Sequence, residues 1–359
     1  MTVRHLCLLG DANSVHVQRW AREMIARGWR VSVVTARPQE TAGFEQIVLR
    51  PVRRARDWLW RAGEARRALD ALAPDIVHAH YVTSYGWLGA RSGRHPLVMT
   101  AWGSDLLVTP KTSALMRALT GWTLRHADLI TGDSSDLIAQ ARSYRPRAAV
   151  ELVHWGVEMA RFHPATWDSK TGLEIVSLRS WEPNYHVGTI VEAVALLRRE
   201  RPALPLTLHL LGGGPLEAAL RAQVAALGLQ GQVVFHGRVD DARMQAVMAT
   251  CKISVTVPAS DATSVAMLES MACGLAVIAS DLPANREWLR HARDAALDAP
   301  LVAPGDAAAL ARALSALARD EERIRRLGEA NRARIERDGR RDVQMDRMAA
   351  LYQGLLASR

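Results

Sequence analysis

The chain has 359 residues, which at roughly 150 per domain points to two domains, each large enough for its own core. Hydrophobic residues make up 49% and charged residues 23%, which excludes a disordered or fibrous chain. The net charge of +9 is almost all arginine, with Lys111, Lys170 and Lys252 the only lysines; it fits either an arginine-rich composition at large or an anionic partner such as nucleic acid, phosphate or a lipid surface.

In chain order, the apolar run 6–9 predicts a buried strand that ends at Gly10, and Val15 to Ala26 has helical spacing and stops at Gly28. Val31 to Val34 predicts the next strand, followed by 75–78, 97–99, 129–130 and 150–153. The second half restarts the pattern with a strand over 173–178 and a helix over 187–199. Strands follow at 206–211, 233–235, 253–257 and 275–279, and the last ~50 residues read as charged helix. Strands separated by helix-length segments imply an α/β chain with two doubly wound parallel sheets in series. The irregular stretch from Gly156 to Lys170, with Pro164, is the expected linker.

Cys7, Cys251 and Cys273 are an odd set without short spacing, which fits neither a disulfide frame nor a metal site and suits a reducing compartment. The apolar start is too short for a secretory signal, and no apolar run approaches the ~20 residues of a membrane span. A cytoplasmic location is expected, with any membrane contact peripheral.

In an open parallel sheet, ligands bind at the carboxyl ends of the strands. The best such place is Val257 to Ser264, a polar loop between a strand and a helix start. The free N–H groups and dipole of a helix start suit a phosphate or a sugar hydroxyl. Asp261 in the loop and Glu269 in the helix, eight residues apart, are placed to address two parts of one ligand. The plainer reading makes Thr263 or Ser264 a helix cap and leaves Glu269 in solvent.

Asp261 to Gly274 (DATSVAMLESMACG) resembles the E-x7-E signature of family 4, or group 1, glycosyltransferases. Other segments match that family in order: Asn13 to Val34, PDIVHAH at 74–80, VHWGVEMARFHP at 153–164, LLGGGP at 210–215 and VFHGR at 234–238. The resemblance covers nearly the whole chain. It implies the GT-B architecture, two Rossmann-like doubly wound domains facing a cleft. An acceptor-binding domain over 1–165 would precede a nucleotide-sugar domain over 166–340, and a final helix over 341–359 would pack back toward the first. It further implies a retaining transfer that needs no metal and no cofactor, the nucleoside-diphosphate sugar being a substrate. Glu269 would hold the ribose hydroxyls, Asp261 would touch the donor sugar, and the backbone of Thr263, Ser264 and Val265 would meet the sugar and the distal phosphate. Arg179 matches the arginine that grips the diphosphate; its plainer role is an interdomain ion pair. Gly213 and Gly237 fall in the donor landmarks. Asn13, His16, Trp102 and Asp105 fall where the acceptor or sugar would lie.

The chain departs from the family at three places. No lysine follows Arg179 in Trp181 to His186, where His186 supplies a cation only when protonated. Trp102 stands where a histidine is usual, either stacked on a sugar ring or packed. The first acidic position is Asp261 rather than glutamate. Elsewhere, His78 and His80 lack the partner spacing of a metal site, and none is expected. Gly212 to Gly214 lacks the Lys-Ser/Thr of a Walker motif and reads as a turn for close ligand approach.

Arg50 to Arg67 carries seven arginines against Asp57 and Glu64. Arg53, Arg54 and Arg56 lie beside Trp58 and Trp60, a mixture suited to an anionic membrane surface. A solvated helix face or phosphate contacts to nucleic acid would use the same residues. Their place in the acceptor domain favours a lipid-linked acceptor, so no nucleic-acid partner is expected. The resulting expectation is a glycosyltransferase acting on a saccharide or lipid-linked acceptor in surface polysaccharide or glycolipid assembly. The alternatives are a GT-B nucleotide-sugar epimerase and a non-catalytic nucleotide-sugar-binding partner.

Overall fold

Strands without a polar face need cover on both sides, which only flanking helices provide. A computed structural model of the chain describes residues 3–40, 43–292 and 294–358. It divides into two units, Met1–His154 with Val343–Arg359, and Trp155–Asp342.

The first unit holds β1 (His5–Leu9), β2 (Arg30–Thr35), β3 (Glu45–Val48), β4 (Ile76–His80), β5 (Leu97–Thr100), β6 (Leu129–Gly132) and β7 (Ala149–Leu152). They form one parallel sheet in the order β3-β2-β1-β4-β5-β6-β7. Its helices are α1 (Val15–Ala26), α2 (Asp57–Leu72), α3 (Trp87–Ser92), α4 (Ser104–Leu107), α5 (Ala114–Leu124) and α6 (Ser135–Ser143). Helix α1 shows why they form: Ser14 caps it by accepting from the His16 N–H, and Val17, Trp20, Ala21 and Met24 make one buried stripe.

The second unit holds β8 (Leu173–Ser177), β9 (Leu206–Leu211), β10 (Val233–Gly237), β11 (Ile253–Thr256), β12 (Ala276–Ser280) and β13 (Leu301–Val302). They are again all parallel, in the order β10-β9-β8-β11-β12-β13. Its helices are α7 (Val187–Glu200), α8 (Glu217–Ala226), α9 (Asp241–Thr250), α10 (Val265–Ala272), α11 (Pro283–Leu289), α12 (Ala307–Leu317) and α13 (Glu321–Asp338). One core forms between the sheet and α7 and α12, and another on the opposite face under α10. The last helix, α14 (Arg341–Ala357), belongs to the first unit from Val343 onward. There the Tyr352 hydroxyl accepts from Trp20 Nε1 at 2.9 Å.

The division falls at His154/Trp155, earlier than the boundary at 165 that the sequence suggests. Residues 155–165 side with the second unit because their backbone is tied there. The Val157 N–H donates to the Gly339 carbonyl and the Arg341 N–H to the Val157 carbonyl, while Phe162 is fully buried in the core under α10. All three cysteines are free and buried, and burial pushes each thiol up to about 12, so they are inert core residues.

Candidate functional site

In the second sheet, strand order reverses between β8 and β11, and a crevice at the carboxyl ends of such a pair is where doubly wound sheets bind ligands. Arg179 follows β8, and the loop from Val257 to Ser264 follows β11. Arg179 is 8% exposed, and its guanidinium has three partners at this end of the sheet. Nη2 pairs with Asp261 Oδ2 at 2.7 Å, Nη1 donates to the Ser264 hydroxyl, and the guanidinium lies over the Tyr185 ring at 4.1 Å from its centre. Burial pushes the Asp261 carboxyl up, and the adjoining Arg179 opposes that rise. Ser264 is also the cap of α10, accepting from the Met267 N–H at 3.2 Å. One hydroxyl thus joins the cation to the helix start.

Thr263 is buried, with its hydroxyl 3.4 Å from Trp288 Nε1, and Val265 opens α10 partly exposed. Glu269 is 5% exposed. The plainer sequence reading, in which Glu269 is solvated, is therefore corrected: α10 buries this side chain along with its neighbours from Met267 to Ala272. The N-cap reading of Ser264 holds, but together with its bond to Arg179.

The glycine turn after β9 has a different reason from the one its sequence suggests. Gly212 sits at φ +150°, and a Cβ there would lie 2.3 Å from the Arg179 carbonyl oxygen. A Cβ at Gly214 would lie 2.5 Å from the Trp181 carbonyl oxygen. The bare backbone is required by the Arg179–Trp181 segment, so these glycines seat the arginine's segment. Gly213 is bonded through its carbonyl to the Trp181 N–H, and Gly237, at φ +71°, accepts from the Gly212 N–H at 2.9 Å. His186 adopts φ +48° just before α7, its ring against Gly305.

Two residues of this end escaped the sequence reading. Tyr185 backs the arginine. Arg238 runs across Gly213, its Nε 3.1 Å from where a Cβ would stand, and it has no ion-pair partner among the described residues. The VFHGR landmark contained Arg238, but nothing in its spacing marked the direction of its side chain.

The first sheet reverses between β1 and β4. Around the ends of β1, β4 and β5 the lining is aromatic. Trp102 meets His16, His80 and Tyr81 in T-shaped contacts at 5.5, 5.8 and 6.4 Å, and its Nε1 lies 3.4 Å from His80 Nδ1. Burial holds His80 down to about 3 and His78 well below the usual histidine range, so both rings are neutral. His78 bonds Thr100 and Tyr352, which makes it a core histidine. Tyr81, also missed, has φ +78°, a strained conformation for a side-chain-bearing residue.

Asn13 is exposed but bonds the Pro38 carbonyl at 2.9 Å. Asp105 is fully buried and accepts from the N–H groups of Val82, Trp102 and Gly103. The expectation that it touches sugar is corrected: with both oxygens on backbone, it positions the Trp102 loop.

On the basic segment, Arg53, Arg54 and Arg56 are exposed, and the backbone N–H groups of Arg53 and Arg54 each reach Asp57 at 2.9 Å. Trp60 is 73% exposed, whereas Trp58 packs against Tyr85 at 4.8 Å. Glu64 pairs with both Arg50 and Arg61. Among the described residues no group of three His, Cys, Asp or Glu is arranged to hold a metal, and no helix is long and apolar enough to cross a membrane.

Two family models match the chain in order, Glycosyl transferase 4-like over residues 5–134 and Glycosyl transferases group 1 over residues 173–320. O-antigen chain mannosyltransferase C of Escherichia coli is 29% identical over 79% of this chain and 76% of its own length. N-acetyl-alpha-D-glucosaminyl L-malate synthase of Bacillus anthracis is 22% identical over 79% and 75%. Among solved structures, sucrose-phosphate synthase of Thermosynechococcus elongatus superposes with a TM-score of 0.83 at 19% identity, covering 99% of this chain and 100% of its own. Anabaena HepE, solved with UDP-glucose, gives 0.80 at 16% identity, covering 98% and 99%. With both halves matched, the chain belongs to the 4-like, group 1 glycosyltransferases and has their GT-B architecture of two Rossmann-like domains.

Proposed function

We propose that this glycosyltransferase takes its sugar from a nucleoside-diphosphate sugar bound at the β8–β11 crevice. It transfers that sugar with retention, without a metal, to a saccharide or lipid-linked acceptor in surface polysaccharide or glycolipid assembly. The observation that carries the reading is Arg179, a buried cation held by Asp261, Ser264 and Tyr185 at the mouth of a helix start. As the glycosidic C–O bond breaks, negative charge grows on the leaving diphosphate. A fixed guanidinium and the N–H groups of Thr263 to Val265 then stabilise it without reorganising. The diphosphate competes with Asp261 for Arg179, which releases the Asp261 carboxylate toward the donor sugar. Glu269 takes the ribose hydroxyls, and Gly213, Gly237 and His186 border the nucleotide. Arg238 supplies the second cation that the missing lysine would otherwise provide.

The acceptor is assigned to the first unit, against His16 and Trp102, with Asn13 at its rim. The name of the O-antigen mannosyltransferase supports a saccharide product, whereas that of the glucosaminyl L-malate synthase differs in both sugar and acceptor. The test is a panel of uridine- and guanosine-diphosphate sugars scored by thermal stabilisation. The matching donor should add about 2.7 kcal/mol at a hundredfold excess over its Kd. Transfer from that donor should survive chelation. Loss of transfer on chelation, restored by a divalent ion, would refute the metal-free reading.

A further inference from the structure

Helix α5 has two unlike flanks. On one lies a pocket of about 550 Å³ lined by Lys111, Arg117 and Arg125 with Gln140, Ser143 and Tyr144. Arg117 and Arg125 are eight residues apart, with Gly121 between them on the same face, so the two guanidinium groups flank a bare backbone. Glycine is a poor residue for a helix interior. Here the Tyr144 ring explains it, since a Cβ at 121 would lie 3.1 Å from that ring. Glycine and tyrosine together shape the pocket. No acidic residue lines it, and among the described residues none of the three cations has an ion-pair or side-chain hydrogen-bond partner. Three unneutralised cations around a polar hollow are a site for a phosphate group.

The other flank of α5 is apolar. Leu119 and Trp122 share a groove of about 420 Å³ with Leu59 and Ala62 of α2 and Trp87 of α3. That groove has no acidic lining residue either, and its one charge is Arg91. Leu115 lies on the same face of α5 as Leu119 and Trp122, 76% exposed, and Leu59 and Trp60 continue the apolar surface onto α2 at 57% and 73%. A helix that exposes leucine on one face, with cations along another, has the character of an interfacial helix.

We propose that α5 lies on a membrane surface and that the Lys111–Arg117–Arg125 pocket seats the phosphate of an anionic lipid. Leu115, Leu119 and Trp122 meet the acyl region, and the charge complementarity assigns the headgroup to the pocket. This rests on the lipid-linked acceptor of the proposed function and on the membrane surface that the basic segment suggests, but it places the specific contact on α5 and leaves the arginines of residues 50–67 as a diffuse surround.

The experiment is co-sedimentation of the full chain with phosphatidylcholine vesicles, with and without phosphatidylglycerol, at low salt. Binding should require phosphatidylglycerol, and inorganic phosphate should weaken it more than chloride of equal ionic strength. Arg117→Gln with Arg125→Gln should weaken binding roughly 30-fold, from about 1 kcal/mol per basic residue. Ala118→Glu, which puts a carboxylate into the same pocket from an exposed helix position, should do the same. Nucleotide binding, unchanged in both variants, shows that they are folded. Should Arg53, Arg54 and Arg56 all changed to Glu abolish binding while both pocket variants sediment as wild type, the pocket is overturned and the wider membrane reading stands. A wild type that ignores phosphatidylglycerol vesicles overturns both. A wild type that binds inorganic phosphate in the pocket but no vesicle overturns the lipid as its source.

Discussion

The two sheets reverse their strand order at matching places, yet their carboxyl ends are built from opposite materials. The second unit gathers ionised groups: Arg179 against Asp261, with Glu269 buried in the following helix. The first gathers rings, with His16, His80, Tyr81 and Trp102 edge to face and His80 kept neutral by burial. One doubly wound scaffold accommodates either lining, because the residues just beyond strand ends carry no burden of packing the sheet. A fixed cation suits a diphosphate, whose charge grows during reaction. Neutral rings suit a sugar, which offers C–H faces and hydroxyls.

The largest effect is expected at the charged end. Arg179→Ala should lower kcat by about a hundred- to a thousandfold, the usual loss on removing one fixed donor from a developing anion. Nucleotide Kd should change less, because much of the interaction arises only as charge develops. Glu269→Ala should do the reverse and weaken nucleotide binding by about 1.5–3 kcal/mol through loss of charge-assisted ribose bonds, with kcat nearly kept. Single-turnover kinetics beside calorimetric nucleotide titration separate the two. If both variants match wild type in both measurements, the donor site lies elsewhere.

The neutral end should reveal itself through acid. An unfolded histidine takes its proton near pH 6.5, whereas folded His80 stays unprotonated down to about 3. Between those values the unfolded state binds more protons. Stability therefore falls as pH drops, by about 1.4 kcal/mol per pH unit for this one group. His80→Gln should be less stable at neutral pH and should lose one proton equivalent of that slope. Urea midpoints at pH 7, 6 and 5 supply the comparison (~three conditions suffice for a slope). An unchanged slope in the variant means that His80 is protonated in the fold.

Periodicity carried most of the architecture. Strand β1 is legible as an unbroken buried run, β9 as a leucine-rich strand that alternates over most of its length, and α1 by its capped amphipathic stripe. Strands β3 and β13 are not, because one is a half-exposed edge of four residues and the other has only two. The candidate site was legible where chemistry and position coincide in a motif, as at Asp261, Ser264 and Glu269. It was illegible where a side chain's direction decides its role. Gly212 and Gly214 read as a turn for a ligand, and their bare backbone accommodates the Arg179 and Trp181 carbonyls, while Asp105 read as sugar-facing and proves to hold three amides. Tyr185 and Arg238 become visible only when β8, β9 and β10 lie side by side.

The smallest expected effect decides whether the aromatic lining serves an acceptor or only the fold. Trp102 is half-buried, with its backbone N–H on Asp105 and its indole among three rings, so packing alone accounts for its position. Its exposed part lies at the end of β5, beside the mouth of the first sheet's reversal. Aromatic contacts of this kind contribute about 0.5–1.5 kcal/mol. Trp102→Ala should therefore raise the acceptor KM roughly two- to tenfold and leave the donor KM unchanged. Trp102→Phe keeps a ring while removing the Nε1 contact to His80, and should recover most of that loss. Steady-state kinetics with each substrate varied in turn, beside a thermal melt of each variant, distinguish the cases. If Trp102→Ala lowers Tm while both KM values hold, the ring is packing, and the acceptor must be sought around His16 and the strained Tyr81 instead.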